Sequence, residues 1–190
     1  MVSMALDPEN AAGRFYQIVW PLRAEVLRMA RILCGKNEAE ADDLAQETLL
    51  KAFAGIDSFR TGTDARAWLM RILRNARIDR VRSLARESSQ MSLDGGEIDV
   101  EARIETEEFG NDPRQVLNAF SDQQIIEALQ DLPEEIRFTL LLVDVQQMDH
   151  ANAADIMEVP VGTIKSRTHR GRAMLRQALL PRARELRMVK

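Results

Sequence analysis

The sequence predicts an all-α protein: two small helical domains joined by a flexible acidic linker. Three observations lead there. Apolar residues recur at three- and four-residue spacing in several segments, no segment alternates as a strand would, and charge changes sign twice along the chain.

The elements follow in order. Tyr16 to Leu33 carries Val19, Leu22, Val26, Met29, Ala30 and Leu33 on one helical face, and Gly35 supplies a stop. Asn37 to Phe53 repeats the pattern with Ala41, Leu44, Ala45, Thr48, Leu49 and Ala52, and its early acids Glu38, Glu40, Asp42 and Asp43 suit a helix N-terminus. Gly55 to Asp64 is rich in Gly, Asp, Ser and Thr and reads as a loop, after which Trp68, Leu69, Ile72, Ile78 and Val81 mark a helix from Ala65 to Leu84. These make a first domain over residues 10–86. Residues 87–120 hold three glycines and most of the central acids without an apolar period, so they read as linker. A second domain, 121–185, opens with Ser121 as a cap, a short helix ended by Pro133, and a helix over Glu134 to Val145. A short helix Ala151 to Glu158, a turn Val159 to Gly162, and a long helix from Thr163 to Leu180, stopped by Pro181, complete it.

A net charge of -4 looks unsuited to binding nucleic acid until it is divided. Arg60 to Arg86 contains eight arginines against two aspartates, a local excess of +6. Glu87 to Asp122 carries ten acids against two arginines, and from Pro160 nine Lys or Arg face one Glu. Two surfaces suited to phosphate thus flank a segment that avoids it or imitates it. The one cysteine, Cys34, and two distant histidines give no disulfide and no zinc spacing, so neither metal nor cofactor is expected. With no long apolar run and no basic-then-apolar leader at Met1 to Glu9, the expectation is a cytoplasmic protein that does not insert into membranes.

The sharpest motif runs from His150 to Leu175: short helix, tight turn, second helix, the layout of a helix-turn-helix. Ile164, Thr168, Gly171 and Leu175 share an inward face, which leaves Lys165, Ser166, His169, Arg170 and Arg172 outward or flanking. Lys, Arg and Ser in such early turns can pair with base edges, while Arg167 and Arg176 are better placed for phosphates. A solvated amphipathic helix is the plainer alternative. The helix Ala65 to Arg86 places seven arginines beside Trp68 and after Phe59, the mixture of cations and rings that single strands require. For Trp68 a place in the core is the simpler reading, and Asn75 serves equally as a base-reading amide or a surface one.

Four segments together resemble the extracytoplasmic function (ECF) sigma factors of the sigma-70 family. They are Asp42 to Phe53 (DDLAQETLLKAF), Phe59 with Ala67 to Arg80 (AWLMRILRNARIDR), Ala128 to Arg137 (ALQDLPEEIR) and Val159 to Arg172 (VPVGTIKSRTHRGR). The resemblance implies a region 2 domain over 10–86, a region 4 domain over 121–185, and no enzymatic activity. It implies that Asp42, Asp43, Leu44, Gln46 and Glu47 dock on core RNA polymerase. It further implies that Phe59, Arg60, Trp68, Arg71, Arg74, Asn75 and Arg77 capture the melted strand of promoter DNA at the -10 element. Thr163, Lys165, Ser166, Arg167, His169, Arg170 and Arg172 would read the -35 duplex. The linker would thread the polymerase, or simply tether, and an anti-sigma factor is the expected regulatory partner. One departure is Gln146 to Ala154 (QQMDHANAA), where the family more usually has Glu-Gly and then an aromatic before Glu-Glu-Ile-Ala; His150 can cap the helix there. A stand-alone regulator would need a ligand pocket in the first domain, which its arginine-studded helices argue against. No phosphate loop, triad or metal cluster supports an enzyme.

Overall fold

The computed structural model describes residues 10–35, 37–89 and 122–185, which are all helix, turn or loop. They fall in two compact units, one on each side of residue 97. The expected linker lies outside the described residues except at its start, where residues 87–89 continue a helix. Ser121, the expected cap, also lies outside them.

In the first unit, α1 (Ala11–Ile18) is capped by Asn10, whose side chain accepts from the Gly13 amide at 2.8 Å. The single helix expected from Tyr16 to Leu33 is divided. Pro21 has no amide to donate, so the chain passes through a short 3-10 turn, Trp20–Leu22, before α2 (Arg23–Cys34). Gly35 ends α2 at φ 65°, a conformation that favours glycine. Helix α3 (Glu38–Ala54) is capped by Asn37 on the Glu40 amide, with Glu38 and Glu40 in its first turn. The expected loop contains a 3-10 turn at Ile56–Ser58. Asp64 then accepts from the Arg66 amide at 2.8 Å and starts α4 (Ala65–Ser89). Helices α2, α3 and α4 pack together around Val26, Met29, Leu33, Leu44, Leu69, Met70 and Leu73. The inward face of α4 is therefore Leu69, Met70, Leu73 and Ala76. Val81, expected inside, is exposed, as are residues 82–86 after it.

In the second unit, α5 (Asp122–Gln130) and α6 (Glu134–Leu140) are separated at Pro133, and α6 widens into a π turn at Leu141–Val145. Helix α7 (His150–Met157) is capped by Asp149, which accepts from the Asn152 amide at 2.7 Å; His150 is the first helical residue, not the cap. Glu158 at φ 53° closes α7, and α8 (Val161–Glu185) begins two residues earlier than expected. It also continues through Pro181, where the sequence leads one to expect a stop. Ile164, Thr168, Gly171 and Leu175 do face inward. Gly171 sets the closeness of α8 to α6: a Cβ there would lie 2.6 Å from Ile136 Cγ2 and 2.9 Å from Leu140 Cδ1.

Candidate nucleic-acid interface

On α8 the residues between the buried ones divide into two sets. Lys165, Ser166 and His169 are exposed, on the first two turns of the helix, and Thr163 and Arg170 are half-buried beside them. Arg167 and Arg172 instead turn toward their own unit. Arg167 pairs with Glu135 of α6 at 2.9 Å. Arg172 makes a forked contact to Asp144, Nη2 to Oδ1 at 2.6 Å and Nε to Oδ2 at 3.2 Å. Those hydrogen bonds hold the guanidinium charged more firmly than usual, against the opposing effect of burial. Sequence spacing gave no sign of either acid. Glu135 and Asp144 lie on other elements, and only the packing of α6 on α8 brings them within reach.

The other basic helix behaves likewise. Arg77 pairs with Glu40, and Arg80 reaches Asp43 at 3.3 Å, Glu47 at 3.8 Å and the Glu40 carbonyl at 3.5 Å. Lys51 bridges Glu47 and Asp79 at 3.0 and 2.9 Å. Hydrogen bonding to Asp79, partly opposed by desolvation, raises the Lys51 pKa above its ordinary value. Outward along α4, at three- or four-residue steps, stand Arg71, Asn75, Asp79, Arg82 and Arg86, with Arg60 exposed on the preceding loop and Arg74 half-buried.

The aromatic pair fits the core alternative more closely than the stacking one. Phe59 is 6% exposed, its ring 5.1 Å from that of half-buried Trp68, and its carbonyl accepts from Arg14 at 2.7 Å. Phe59 therefore fixes the loop base from below. Leu44 is fully buried and holds α3 in the core, so the outward face there is Asp42, Asp43 and Gln46, with Glu47 half-buried. Among the described residues no cluster of His, Cys, Asp and Glu could hold a metal, and no helix is long and apolar enough to cross a membrane.

Two family descriptions match this chain: sigma-70 region 2 over residues 21–87 and sigma-70 region 4 over residues 122–175. The ECF RNA polymerase sigma factor EcfG of Rhodopseudomonas palustris is 37% identical over 157 residues, 78% of this chain and 76% of its own length. The chain belongs to the ECF sigma factors of the sigma-70 family. SigW of Bacillus subtilis, another ECF sigma factor, is 31% identical over 75% of this chain and 77% of its own. The sigma factor RpoE of Bartonella quintana, solved in complex with the anti-sigma factor NepR, matches with a TM-score of 0.66 and 29% identity. That match covers 87% of this chain and 96% of the Bartonella one. The basic helix α4 thus lies in region 2 and the helix-turn-helix of α7 and α8 in region 4, in a family that acts in transcription initiation without catalysing a reaction.

Proposed function

We propose that this sigma factor reads a -35 duplex with Lys165, Ser166 and His169, flanked by Thr163 and Arg170, and holds the melted -10 strand with Arg60, Arg71, Arg74 and Asn75. The carrying observation is on α8: those three side chains are exposed over its first turns while Arg167 and Arg172 are tied to acids of their own unit. Arg167, Arg172 and Arg77 act in this reading as residues that orient the helices, and their cationic ends add to the field near phosphate. Trp68 and Phe59 support the -10 loop. The outward acids of α3, Asp42, Asp43 and Gln46 with Glu47 beside them, dock on a basic surface of core RNA polymerase, with Leu44 as their buried support. Region 2 is assigned to residues 10–86, region 4 to 121–185, and the acidic stretch 87–120 to the connection between them. An anti-sigma factor, as in the Bartonella complex, controls the protein, which works in the cytoplasm where its polymerase is.

Run-off transcription with purified core polymerase from the source organism tests this on genomic promoter fragments. New start sites that require both components are expected. Tight duplex binding without polymerase, and no initiation with it, would instead mark a stand-alone regulator.

A further inference from the structure

The turn that leads from Arg60 into α4 takes its shape from local bonds. The Arg60 carbonyl accepts from the Thr63 hydroxyl at 2.7 Å and from the Thr63 amide at 3.2 Å, with Gly62 between them at φ 91°. Asp64 then accepts from the Arg66 amide at 2.8 Å. Bonds of this kind fix a turn internally but leave its direction open, since a closed turn can swing as one piece about the residue that leads into it. That residue is Phe59, between the 3-10 turn Ile56–Ser58 and Arg60.

Phe59 is held at three points. Its amide donates to the Ile56 carbonyl at 3.1 Å, and its buried ring lies 5.1 Å from that of Trp68. Those two contacts fix the nitrogen, Cα and side chain but not ψ, the rotation that aims the carbonyl and with it the amide of Arg60, because the peptide unit between them is planar. The third contact sets ψ at 122°: the Phe59 carbonyl accepts from Arg14 Nη2 at 2.7 Å, from α1, 45 residues earlier. Arg14 is itself well anchored. Its side chain is 23% exposed, and its Nη1 lies 3.6 Å from Asp57 Oδ1, so one planar guanidinium spans both residues. A bond from a charged donor is stronger than one between neutral groups. Beyond the turn, Arg66 pairs with Glu25 of α2 at 3.5 Å, which ties the start of α4 as well.

We propose that Arg14 is a positioning residue for -10 recognition: by holding the Phe59 carbonyl it aims the Arg60 turn relative to Arg71 and Asn75 on α4, without touching DNA itself. The proposal rests on the reading that Arg60, Arg71, Arg74 and Asn75 hold the melted strand. Arg71 and Asn75 stand on a rigid helix, whereas Arg60 stands on a turn whose direction depends on one carbonyl bond. Attraction to phosphate tolerates a small displacement of that turn, but base discrimination requires side chains held to within about 0.5 Å. Loss of Arg14 therefore lowers discrimination more than affinity.

The test uses the full-length chain assembled with purified core polymerase. Affinity is measured for short non-template-strand oligonucleotides taken from the -10 segment of start sites mapped by run-off transcription, and for the same oligonucleotides with that segment scrambled. The ratio of the two is the discrimination. Arg14→Met keeps the aliphatic stem and removes every donor, and the ratio is expected to fall about tenfold, as loss of one charge-assisted hydrogen bond allows. Arg14→Lys keeps the charge but not the planar fork, and a fall of about threefold is expected. Circular dichroism checks that each variant is folded; a purely structural role would lower the melting temperature and leave the ratio in place. Native discrimination in Arg14→Met, or in Arg14→Lys should Arg14→Met not fold, would overturn the positioning role. Equal weakening on both oligonucleotides, with the salt slope reduced by about one, would overturn it too and make Arg14 a phosphate contact. Arg71→Ala with Asn75→Ala separates this from the underlying reading. Native binding and discrimination in that variant would overturn the -10 reading itself, whereas lost discrimination there beside native Arg14 variants would overturn the positioning role alone.

Discussion

Regions 2 and 4 answer the same structural problem in different ways. Each, in the proposed reading, presents cations to DNA from a helix that also packs against its own unit. In region 4 Glu135 and Asp144 each take one arginine of α8, while Lys165, Ser166 and His169 are exposed. In region 2 the acids that tie α4 come from α3, which has its own exposed face, so Arg80 is bonded to Asp43 and Glu47 of the proposed polymerase-docking helix. In the proposed reading, region 4 presents Lys165, Ser166 and His169 outward while Arg167 and Arg172 are tied to acids of their own unit, whereas region 2 joins its proposed DNA helix to its proposed docking helix through shared ion pairs. A count of arginines overstates the DNA-facing charge in both.

The largest expected effect breaks the comparison by unfolding one side of it. Gly171→Val would put its Cβ against Ile136 and Leu140 and should cost region 4 about 3 kcal/mol, in the range of severe overpacking. Gly162→Ala, with nothing within 4 Å of the added methyl, should be neutral or slightly stabilising. Both tryptophans of the chain, Trp20 and Trp68, belong to the first compact unit. Circular dichroism should therefore show an early loss of helix in Gly171→Val while the tryptophan fluorescence transition stays in place. Movement of both signals together would show that the two regions stabilise each other.

Next in size is the division of labour on α8. Lys165→Ala should cost roughly 1–3 kcal/mol on the preferred duplex and relax the preference at one position, as loss of a base contact does. Arg172→Ala should lower stability and weaken all duplexes alike. A double-mutant cycle with Asp144→Ala should return a coupling of about 1 kcal/mol, since the pair is partly exposed and screened. Loss of sequence preference on removing Arg172, with stability unchanged, would return it to the base-reading set.

Much of this was legible in the sequence, and what was not shares a physical cause. Periodicity gave the inward faces of α3 and α8, because a 3.6-residue repeat is a local property that burial enforces. The caps Asn37 and Asp149 stand at the starts of α3 and α7, the second of them next to His150, a plausible cap by residue type. Periodicity does not show what a single proline does: Pro21 divides the first helix, while Pro181 lies within the last. The site was least legible where it depends on pairs distant in sequence. Nothing local shows that Arg172 meets Asp144, that Arg77 meets Glu40, or that Phe59 lies beneath Trp68. Residue type gave the list of candidates, and packing decided which of them point outward.

A smaller effect sharpens the contrast between the turns. Region 2 uses glycine where φ is positive, at Gly35 and Gly62, whereas region 4 uses Gln147 and Glu158, at φ 55° and 53°. A side chain in that conformation is strained, and glycine relieves the strain while adding freedom to the unfolded chain. Gln147→Gly and Glu158→Gly should each stabilise region 4 by about 0.5–1 kcal/mol, read from chemical denaturation followed by circular dichroism. Destabilisation by either would mean that the side chain's own contacts outweigh the backbone strain.

The smallest effect probes the ion pairs of region 2 through pH. Lys51 bridges Glu47 of α3 and Asp79 of α4, and these partners raise its pKa above 10.5 in the folded chain. A group whose folded pKa is raised contributes its stabilisation in full below the unfolded pKa and loses it as pH rises through the folded value. Lys51→Met should therefore cost region 2 a few tenths of a kcal/mol, the amount typical of exposed pairs. The cost should be constant from pH 6 to about 9 and should vanish only above about 10.5, where the native lysine itself loses its charge. Since the bridge is open to solvent, added salt should reduce the difference as well. If salt and pH leave it unchanged, the lysine acts through its aliphatic stem against α4, and the charges joining α3 to α4 are those of Arg77 and Arg80 with their acids.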